Sequence, residues 1–492
     1  MATRLEVLEL SRLDQTVLRV YVRHLLIFPF ADATSSNKRD AQVALTTGLL
    51  ATLRQFPFLA GTVEVGDPET GVLAVRYPSS IDLELAARML TVNDLNLDSL
   101  EYSSLCADGV PPSRLPADVL CPFALISHPG IDDQHAEVLT SFAKRKPIPI
   151  FAAQMNFIAG GLILSAFTHH SVVDGTGIAK IYEVWSGNTR NYGYGTNDEV
   201  RIPAQVQAVD LNNARHALDS LAESAQEMRL PEFRYPGAPV NPPLRSSPYK
   251  LSAKLLVFSA LTMTQLAASL SSLTSERVSI FTALCTLVWC QVTNARRDAI
   301  VKKGIDKTTL GIATDSRKRV GSVLPADYIG NCANGMVVSV PLSSIPTTEN
   351  MDAGHIAPVA LALSNALKEV NLDWFRARLL ELSKREISSK WVLNLDTQNG
   401  PDIFITSWQH IGADDLWAIP GTSKTEDGKQ WLCKPTAIRK PHNLWEGGMQ
   451  ILPRQKGDQA PFEIPLCLEE GEMERVLKGL RDGKWVERVI DA

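Results

Sequence analysis

An apolar run, a short polar loop and a helical pattern follow one another between residues 161 and 185. Residues 161–168 are apolar and rich in strand formers, which predicts a strand. The residues after the loop have helical spacing, with one face formed by Ile178, Ile181, Tyr182 and Trp185. The connecting loop reads His169-His170-Ser171-Val172-Val173-Asp174-Gly175. A side chain at such a junction is held by the strand yet can face a cleft, and histidine there suits proton transfer near neutral pH.

The loop allows three interpretations. Adjacent residues of a strand point to opposite faces, so one of His169 and His170 is expected to be structural. Asp174 lies four residues after His170 and could fold back towards it, with Gly175 permitting the backbone conformation of the turn. Alternatively, His170 is a hydrogen-bonded core histidine and Asp174 caps the following helix. A metal site is the third interpretation, but the chain has no HExxH and no third ligand at suitable spacing, so we expect none.

Composition excludes several classes of protein. With 492 residues the chain is too long for one ordinary core, and 45% hydrophobic residues exclude a largely disordered chain. The net charge of −5 provides no broad basic field, so a nucleic-acid partner is not expected. No apolar run reaches the roughly 18 residues of a membrane span. The seven scattered cysteines lack CxxC pairing, and the first residues lack the pattern of a secretory signal, so a cytoplasmic protein is expected.

A proline-rich stretch divides the chain. Residues 231–248 contain six prolines, a density that favours an extended connection. Before it lie helical and strand patterns that predict helices packed on a sheet, and a second set of such patterns begins near residue 253. The sequence therefore predicts an N-terminal domain over 1–190, a crossover over 191–250 that contains a helix near 212–227, and a C-terminal domain over 251–492. A site in the cleft between two such domains is expected.

The loop and several other motifs resemble the BAHD acyltransferase superfamily, which is related to chloramphenicol acetyltransferases and condensation domains. The HHxxxDG loop is similar to the family's active-site motif. The other matching stretches span most of the chain: Leu10–Gln15 resembles "LSxxD", Phe56–Gly61 "xPxLAGR", Ala283–Trp289 "ALxALxW", Asp315–Arg319 "DxRxR", Tyr328–Asn331 "YxGN" and Thr406–Trp408 "TSW". The resemblance implies an α/β fold of two chloramphenicol-acetyltransferase-like domains, each a mixed sheet with helices, and an active-site tunnel at their interface.

One family motif is altered. A clean DFGWG is missing, and Asp414-Asp415-Leu416-Trp417 is similar to a remnant of it, with Lys434-Pro435 following after an insertion. The family's motif lies away from the active histidine and is regarded as structural. Its alteration makes the fungal, trichothecene-acetyltransferase-like branch the better match.

Site roles follow from acyl-transfer chemistry and the resemblance together. Transfer from a thioester needs a base for the acceptor hydroxyl, and His170 is the candidate. The oxyanion of the tetrahedral intermediate needs a donor, for which the resemblance favours the indole of Trp408 and the hydroxyl of Thr406; a core role for Trp408 is the alternative.

The resemblance also implies that Asp174 points away from substrate and pairs with Arg317, stabilising the His170 loop. Gly175 and Asp315 are expected to support the same site. Two alternatives remain open: Asp174 polarises His170 as in a triad, or Arg317 to Arg319 bind the phosphates of coenzyme A. The sequence does not identify the residues that bind coenzyme A.

These features predict an acyltransferase that moves an acetyl or other small acyl group from acyl-CoA to a hydroxyl of a secondary metabolite. Direct transfer in a ternary complex is expected, with acyl-CoA as cosubstrate, no permanent cofactor and a monomeric enzyme. The alternatives are an N-acyltransferase, a condensation-like enzyme that uses a carrier-protein thioester, or a non-catalytic binding protein on the same fold.

Overall fold

The computed structural model describes residues 4–95, 97–129, 131, 146–192, 204–235, 240–348, 351–385, 393–425, 428, 430–442, 444–457 and 459–492. Parts of the predicted crossover, residues 193–203 and 236–239, therefore lie outside the described residues. Within the described ranges the chain forms four sheets with helices packed around them.

The largest sheet belongs mainly to the N-terminal half. Its five strands are β2 (Tyr21–Pro29), β5 (Leu90–Asp94), β7 (Phe151–Ile158), β8 (Gly161–His169) and β13 (Ala437–Arg439). They lie in the order β13-β2-β8-β7-β5, and β5 and β7 are the parallel neighbours. The strand from the C-terminal half, β13, pairs antiparallel with β2, so the two halves share this sheet.

A second N-terminal sheet has the order β1-β4-β3-β6. Its strands are β1 (Leu5–Leu8), β3 (Thr62–Asp67), β4 (Val72–Pro78) and β6 (Ile148–Pro149). The helices of this half are α1 (Arg12–Thr16), α2 (Ser35–Gln55), α3 (Leu83–Met89), α4 (Tyr102–Ala107), α5 (Ala117–Leu120), α6 (Phe123–Ile126), α7 (Gly175–Tyr192) and α8 (Ala208–Ser220).

The C-terminal half contributes the other two sheets. One has the order β11-β10-β12-β14, and the other has the order β15-β9-β16. The strands are β9 (Leu251–Phe258), β10 (Lys307–Asp315), β11 (Ala333–Pro341), β12 (Ile403–Ser407), β14 (Gly448–Ile451), β15 (Phe462–Glu469) and β16 (Arg488–Asp491). The helices are α9 (Ala260–Thr274), α10 (Ile280–Lys302), α11 (Arg317–Val320), α12 (Ala353–Glu369), α13 (Leu372–Ser383) and α14 (Glu470–Asp482).

Two large hydrophobic cores organise the chain, one in each half. The first core also takes up Ile411, Trp417, Ile419 and Ile438 from the C-terminal half. In return, Leu13 near the N-terminus packs in the second core. The α/β class and the two-part architecture predicted from the sequence are confirmed, whereas the boundaries at residues 190 and 250 remain predictions.

The strand, loop and helix predicted around residue 170 are present as β8 and α7. β8 pairs with β2 from Tyr21–His169 to Pro29–Gly161, which fixes the position where the loop begins. Gly160 has a φ of 70° in the turn between β7 and β8, a conformation that glycine adopts without a steric cost. β10, β12 and β14 are parallel, so Asp315 and Ser407, at the carboxyl ends of β10 and β12, lie at one edge of their sheet.

Candidate active site

The backbone of His170 is held from both sides. Its N–H donates to the carbonyl of Val20 at 2.8 Å, which continues the β2–β8 ladder by one residue. Its carbonyl accepts a hydrogen bond from Nδ2 of Asn331 at 2.8 Å. The imidazole is half-buried, and its Nδ1 has no hydrogen-bond partner among the described residues. The backbone of the predicted base is therefore fixed by hydrogen bonds, while Nδ1 of its imidazole makes none to the described residues.

His169 has a different environment. It is fully buried, its Nδ1 accepts the backbone N–H of Ser171 at 3.3 Å, and its ring lies edge-on to Tyr21 with centroids 5.2 Å apart. Burial, aided by the nearby charges of His170 and Arg19, lowers the pKa of His169 to about 3. His169 therefore stays neutral and packs inside the protein.

The buried carboxylate of Asp174 forms a bidentate ion pair with Arg317, at 2.8 Å and 3.0 Å. It also accepts the backbone N–H groups of Gly177, Cys332 and Ala333 at 2.9–3.0 Å. Burial favours a higher pKa for Asp174, but the Arg317 charge and these hydrogen bonds together lower the pKa below its ordinary value. Asp174 thus caps α7 and pairs with Arg317 at the same time.

Direct polarisation of His170 by Asp174 has no hydrogen bond to support it, because Nδ1 of His170 has no partner among the described residues. Both carboxylate oxygens of Asp174 are instead engaged by Arg317 and by backbone N–H groups. The arrangement is therefore not that of a Ser-His-Asp triad, in which the carboxylate holds the imidazole.

All five N–H donors of Arg317 are used within the protein. Besides Asp174 they reach Oδ1 of Asp315 and the carbonyls of Tyr328 and Gly330. Asp315 in turn accepts the hydroxyl of Thr176 at 2.8 Å. A guanidinium offers five donors, so Arg317 has none left for a phosphate of coenzyme A. The alternative that Arg317 binds coenzyme A is therefore not favoured by the geometry.

The special backbone conformation expected of Gly175 is not found in the structure, while its support of the site stays a prediction. Gly175 is the first residue of α7, its φ is not positive, and a Cβ there would meet its nearest atom at 3.5 Å, an ordinary contact. The sterically required glycine is Gly177, where a Cβ would lie 2.3 Å from the carbonyl oxygen of Ile329. None of the residues from 169 to 175 has a positive φ, and the side chain of Asp174 caps the helix that follows.

Asn331, Asp14 and Arg215 also line the candidate site, although none of them was predicted from the sequence as a site residue. Nδ2 and the backbone N–H of Asn331 both donate to Oδ1 of Asp14, at 2.8 Å and 2.9 Å. Asp14 forms a fully buried ion pair with Arg215 at 3.0 Å. Asp14 lies in the "LSxxD"-like stretch and Asn331 in the "YxGN"-like stretch, so the signal was in the motifs. The position of Arg215 in the crossover helix carried no such signal.

Trp408 and Thr406 lie at the end of β12. Thr406 is half-buried and aligns with Gln450 of β14. The backbone N–H of Trp408 donates to the carbonyl of Ile451 at 2.8 Å, and its half-buried indole stands perpendicular to the ring of His24. Within the described residues neither side chain hydrogen-bonds to His170. Their predicted role as oxyanion donors stays a prediction.

The DFGWG-like remnant packs against α7. Trp417 is buried between Phe28 and Trp185, with centroids 5.9 Å and 5.4 Å away. Lys434 forms an ion pair with Asp414 at 2.9 Å, so the two pieces separated by the insertion meet in space. The altered motif therefore has a packing role in the first core.

In the part of the chain that the structure describes, no group of three or more histidine, cysteine or acidic residues could hold a metal ion. Across the same residues, none of the helices has the length and apolar character that a membrane crossing needs.

Comparison with known proteins identifies the family. A family model described as "Transferase family" matches residues 124–417, and a model of the trichothecene 3-O-acetyltransferase-like N-terminal domain matches residues 20–187. An eremophilane O-acetyltransferase of Penicillium rubens is 24% identical over 81% of this chain and 84% of its own length. A trichothecene 8-O-acetyltransferase of Fusarium sporotrichioides is 25% identical over 91% of this chain and 90% of its own length.

Solved structures confirm the fold. F. graminearum TRI101, complexed with coenzyme A and T-2 mycotoxin, is 19% identical, covers 98% of this chain and 99% of its own, and has a TM-score of 0.73. Vinorine synthase is 17% identical, covers 98% and 97%, and has a TM-score of 0.57. The fold and the enzyme class predicted from the sequence are confirmed, and the chain belongs to the transferase family of BAHD-type acyltransferases.

Proposed function

We propose that this chain is a coenzyme-A-dependent O-acyltransferase that moves an acetyl or other small acyl group onto a hydroxyl of a secondary metabolite. The observation that carries the proposal is the half-buried imidazole of His170 on a backbone that β2 and Asn331 fix. Its Nδ1 is buried and has no hydrogen-bond partner among the residues that the structure describes. The O-acetyltransferase relatives and the coenzyme A in the TRI101 structure support the same reaction and the same cosubstrate.

The proposed reaction needs no covalent enzyme intermediate. His170 takes the proton of the acceptor hydroxyl, and the oxygen of that hydroxyl forms a C–O bond to the carbonyl carbon of the acyl group. The tetrahedral intermediate carries its negative charge on the former carbonyl oxygen, which the indole N–H of Trp408 and the hydroxyl of Thr406 stabilise. When the intermediate collapses, the C–S bond breaks, and the proton held by His170 passes to the sulfur of coenzyme A.

Asp174, Arg317 and Asp315 have a supporting role in this proposal. The ion pair between Asp174 and Arg317 fixes the end of the loop in which His170 lies four residues before Asp174. Asp315 accepts a hydrogen bond from Arg317 and so aligns its guanidinium group. Catalysis depends on the placement of the base to within a fraction of an ångström, so a fixed loop raises the rate without contacting substrate.

The proposal is tested by thiol release from acetyl-CoA in the presence of a panel of alcohols. We expect His170→Ala and His170→Gln to lose at least about 100-fold in kcat, the contribution of a general base. His355→Ala, at an exposed histidine paired with Asp352, is the matched control and should keep full activity. Acylation that survives both His170 changes would overturn the base assignment. A wild-type protein that binds acyl-CoA without turnover would favour the binding-protein alternative.

The oligomeric state and the compartment remain predictions from the sequence, a monomer in the cytoplasm. Entry of acyl-CoA and acceptor through a tunnel between the two halves is likewise a prediction. Size-exclusion chromatography with light scattering tests the oligomeric state, and fractionation of the producing cells tests the compartment. The structure of a complex with coenzyme A tests the tunnel.

A further inference from the structure

His24 is a polar residue on an apolar strand face. It lies in β2, where the residues two and four positions further along the same face are Leu26 and Phe28, and all three are fully buried. Burial lowers the pKa of His24 to about 3, so the imidazole is neutral at physiological pH. A leucine or phenylalanine would fill such a position without the cost of burying two ring nitrogens. The histidine therefore needs an explanation beyond packing.

One ring nitrogen has a clear partner. Nδ1 of His24 lies 3.0 Å from the hydroxyl of Tyr182, while Nε2 has no hydrogen-bond partner among the described residues. A neutral imidazole carries one proton. The Tyr182 hydroxyl has one proton, and it also lies 3.5 Å from the carbonyl oxygen of Ala166. Whichever group donates in the shorter contact, Tyr182 and Nδ1 of His24 are paired, and this pairing fixes the orientation of the imidazole.

The ring of His24 meets the ring of Trp408. Their centroids are 4.7 Å apart and their planes are at 89°, an edge-to-face contact. Perpendicular aromatic rings at this separation attract each other, because the positive edge of one ring meets the negative face of the other. The backbone of Trp408 is already fixed by the hydrogen bond to Ile451 and by the N–H of Ile411, which donates to its carbonyl at 2.8 Å. The freedom that remains is the rotation of the indole, which this contact restricts.

We propose that His24 is a positioning residue for Trp408, holding the indole plane so that its N–H points at the reacting carbonyl oxygen. The inference rests on the proposed function, in which Trp408 stabilises the oxyanion. Tyr182 connects this contact to the base, because it belongs to α7, the helix that Asp174 caps. One helix thus relates the placement of His170 to that of Trp408.

The first test measures kcat and KM for thiol release from acetyl-CoA, with water or an active alcohol as the acceptor. We expect His24→Ala to lower kcat about fivefold to tenfold with an unchanged KM for acetyl-CoA, since a misplaced donor affects the transition state more than binding. Tyr182→Phe should cause a smaller loss of the same kind. Leu26→Ala, which creates a cavity two residues further along the same strand face, is the matched control. It should lower the melting temperature, but at temperatures below the melting range it should leave kcat unchanged.

A double-mutant cycle separates this inference from the proposed function. If His24 acts through Trp408, then His24→Ala lowers kcat in the wild type but has little further effect in Trp408→Phe. Full additivity of the two changes, with Trp408→Phe itself impaired, overturns the positioning inference and leaves the proposed function standing. Full activity in Trp408→Phe overturns both the inference and the oxyanion assignment.

A second readout does not depend on turnover. Protein labelled with 5-fluorotryptophan gives a ¹⁹F resonance for each of its nine tryptophans, and Trp408→Phe identifies the one from Trp408. His24→Ala should shift or broaden that resonance, whereas Leu26→Ala should leave it in place. An unchanged Trp408 resonance in His24→Ala overturns the inference whatever the activity.

Discussion

Asp174→Asn tests whether the Asp174–Arg317 pair stabilises the fold as well as the loop. The change removes the charge that Arg317 pairs with, and it turns an –NH2 group towards Arg317 or towards the N–H groups of Cys332 and Ala333. Asp174 is fully buried and the side chain of Arg317 is 15% exposed, so solvent can screen little of the loss. Breaking a buried ion pair on one side costs about 3–5 kcal/mol, because the remaining charge is left without its partner.

The assay is thermal unfolding followed by circular dichroism, beside kcat for thiol release. In a domain of roughly 200 residues, a loss of this much free energy of unfolding lowers the melting temperature by on the order of 10 °C. Arg317→Met should be destabilising to a similar degree, and Asp174→Asn combined with Arg317→Met should recover part of the loss, since it leaves no unpaired charge. An inactive Asp174→Asn protein with the melting temperature of the wild type would refute this reasoning and favour direct polarisation of His170.

The same pair predicts a pH dependence. The pKa of Asp174 is lower in the folded protein than the roughly 3.9 of an unfolded chain, so the folded state favours the carboxylate. The resulting stabilisation is fully present above about pH 4 and is lost as the pH falls through the folded pKa. Melting temperatures measured between pH 7 and pH 3 should therefore fall more steeply in the wild type than in Asp174→Asn.

Two further predictions concern the backbone and a second carboxyl group. Gly177→Ala should be strongly destabilised and poorly active, because a Cβ at residue 177 would lie 2.3 Å from the carbonyl oxygen of Ile329. Gly175→Ala should melt like the wild type, because a Cβ at residue 175 would lie 3.5 Å from its nearest atom. Equal melting temperatures of the two variants would contradict this prediction. Burial raises the pKa of Asp219 to about 6, so the folded state favours its protonated form, and this contribution to stability is lost as the pH rises through 6. Asp219→Asn should therefore raise the free energy of unfolding by about 1–2 kcal/mol at pH 8 and by little at pH 4. Urea denaturation at the two pH values measures the difference.

The sequence was sufficient to predict the elements with a strong local pattern. β8 and α7 are an apolar run followed by a helical repeat, and both lie where the pattern put them. α10 begins in an apolar run and continues through polar residues to Lys302, and such a helix end has little hydrophobic periodicity that could predict it. Residues 86–100 show no clear hydrophobic pattern, although they contain the end of α3 and the strand β5.

Elements stabilised mainly by distant partners were missed. β2 is buried on both faces, so its sequence shows no alternation, and it carries Arg23, His24 and Pro29. β13 has three residues and exists because it pairs with β2, some 410 residues away in sequence. Patterns within a short window cannot indicate such pairings.

The candidate site divides in the same way. His170 and Asp174 were found from a local motif, but the partners of that motif come from distant parts of the chain. Arg317 is 143 residues from Asp174, and Arg215 is 201 residues from Asp14. Arg317 was reached through the family resemblance, and Arg215 was not reached at all, since a buried arginine in a polar helix looks like a surface residue in sequence.

The ion pairs Asp174–Arg317 and Asp14–Arg215 lie beside the same loop, residues 328–331, and the altered DFGWG motif lies elsewhere. Tyr328 lies between the guanidinium groups of Arg215 and Arg317, at 5.6 Å and 5.7 Å from its ring centre. Arg317 binds the carbonyls of this loop, and Asn331 from the same loop holds His170. Trp417, by contrast, packs on Phe28 and Trp185 in the first core. Changes near Trp417 therefore act on core packing, whereas the position of His170 depends on the residues around Tyr328.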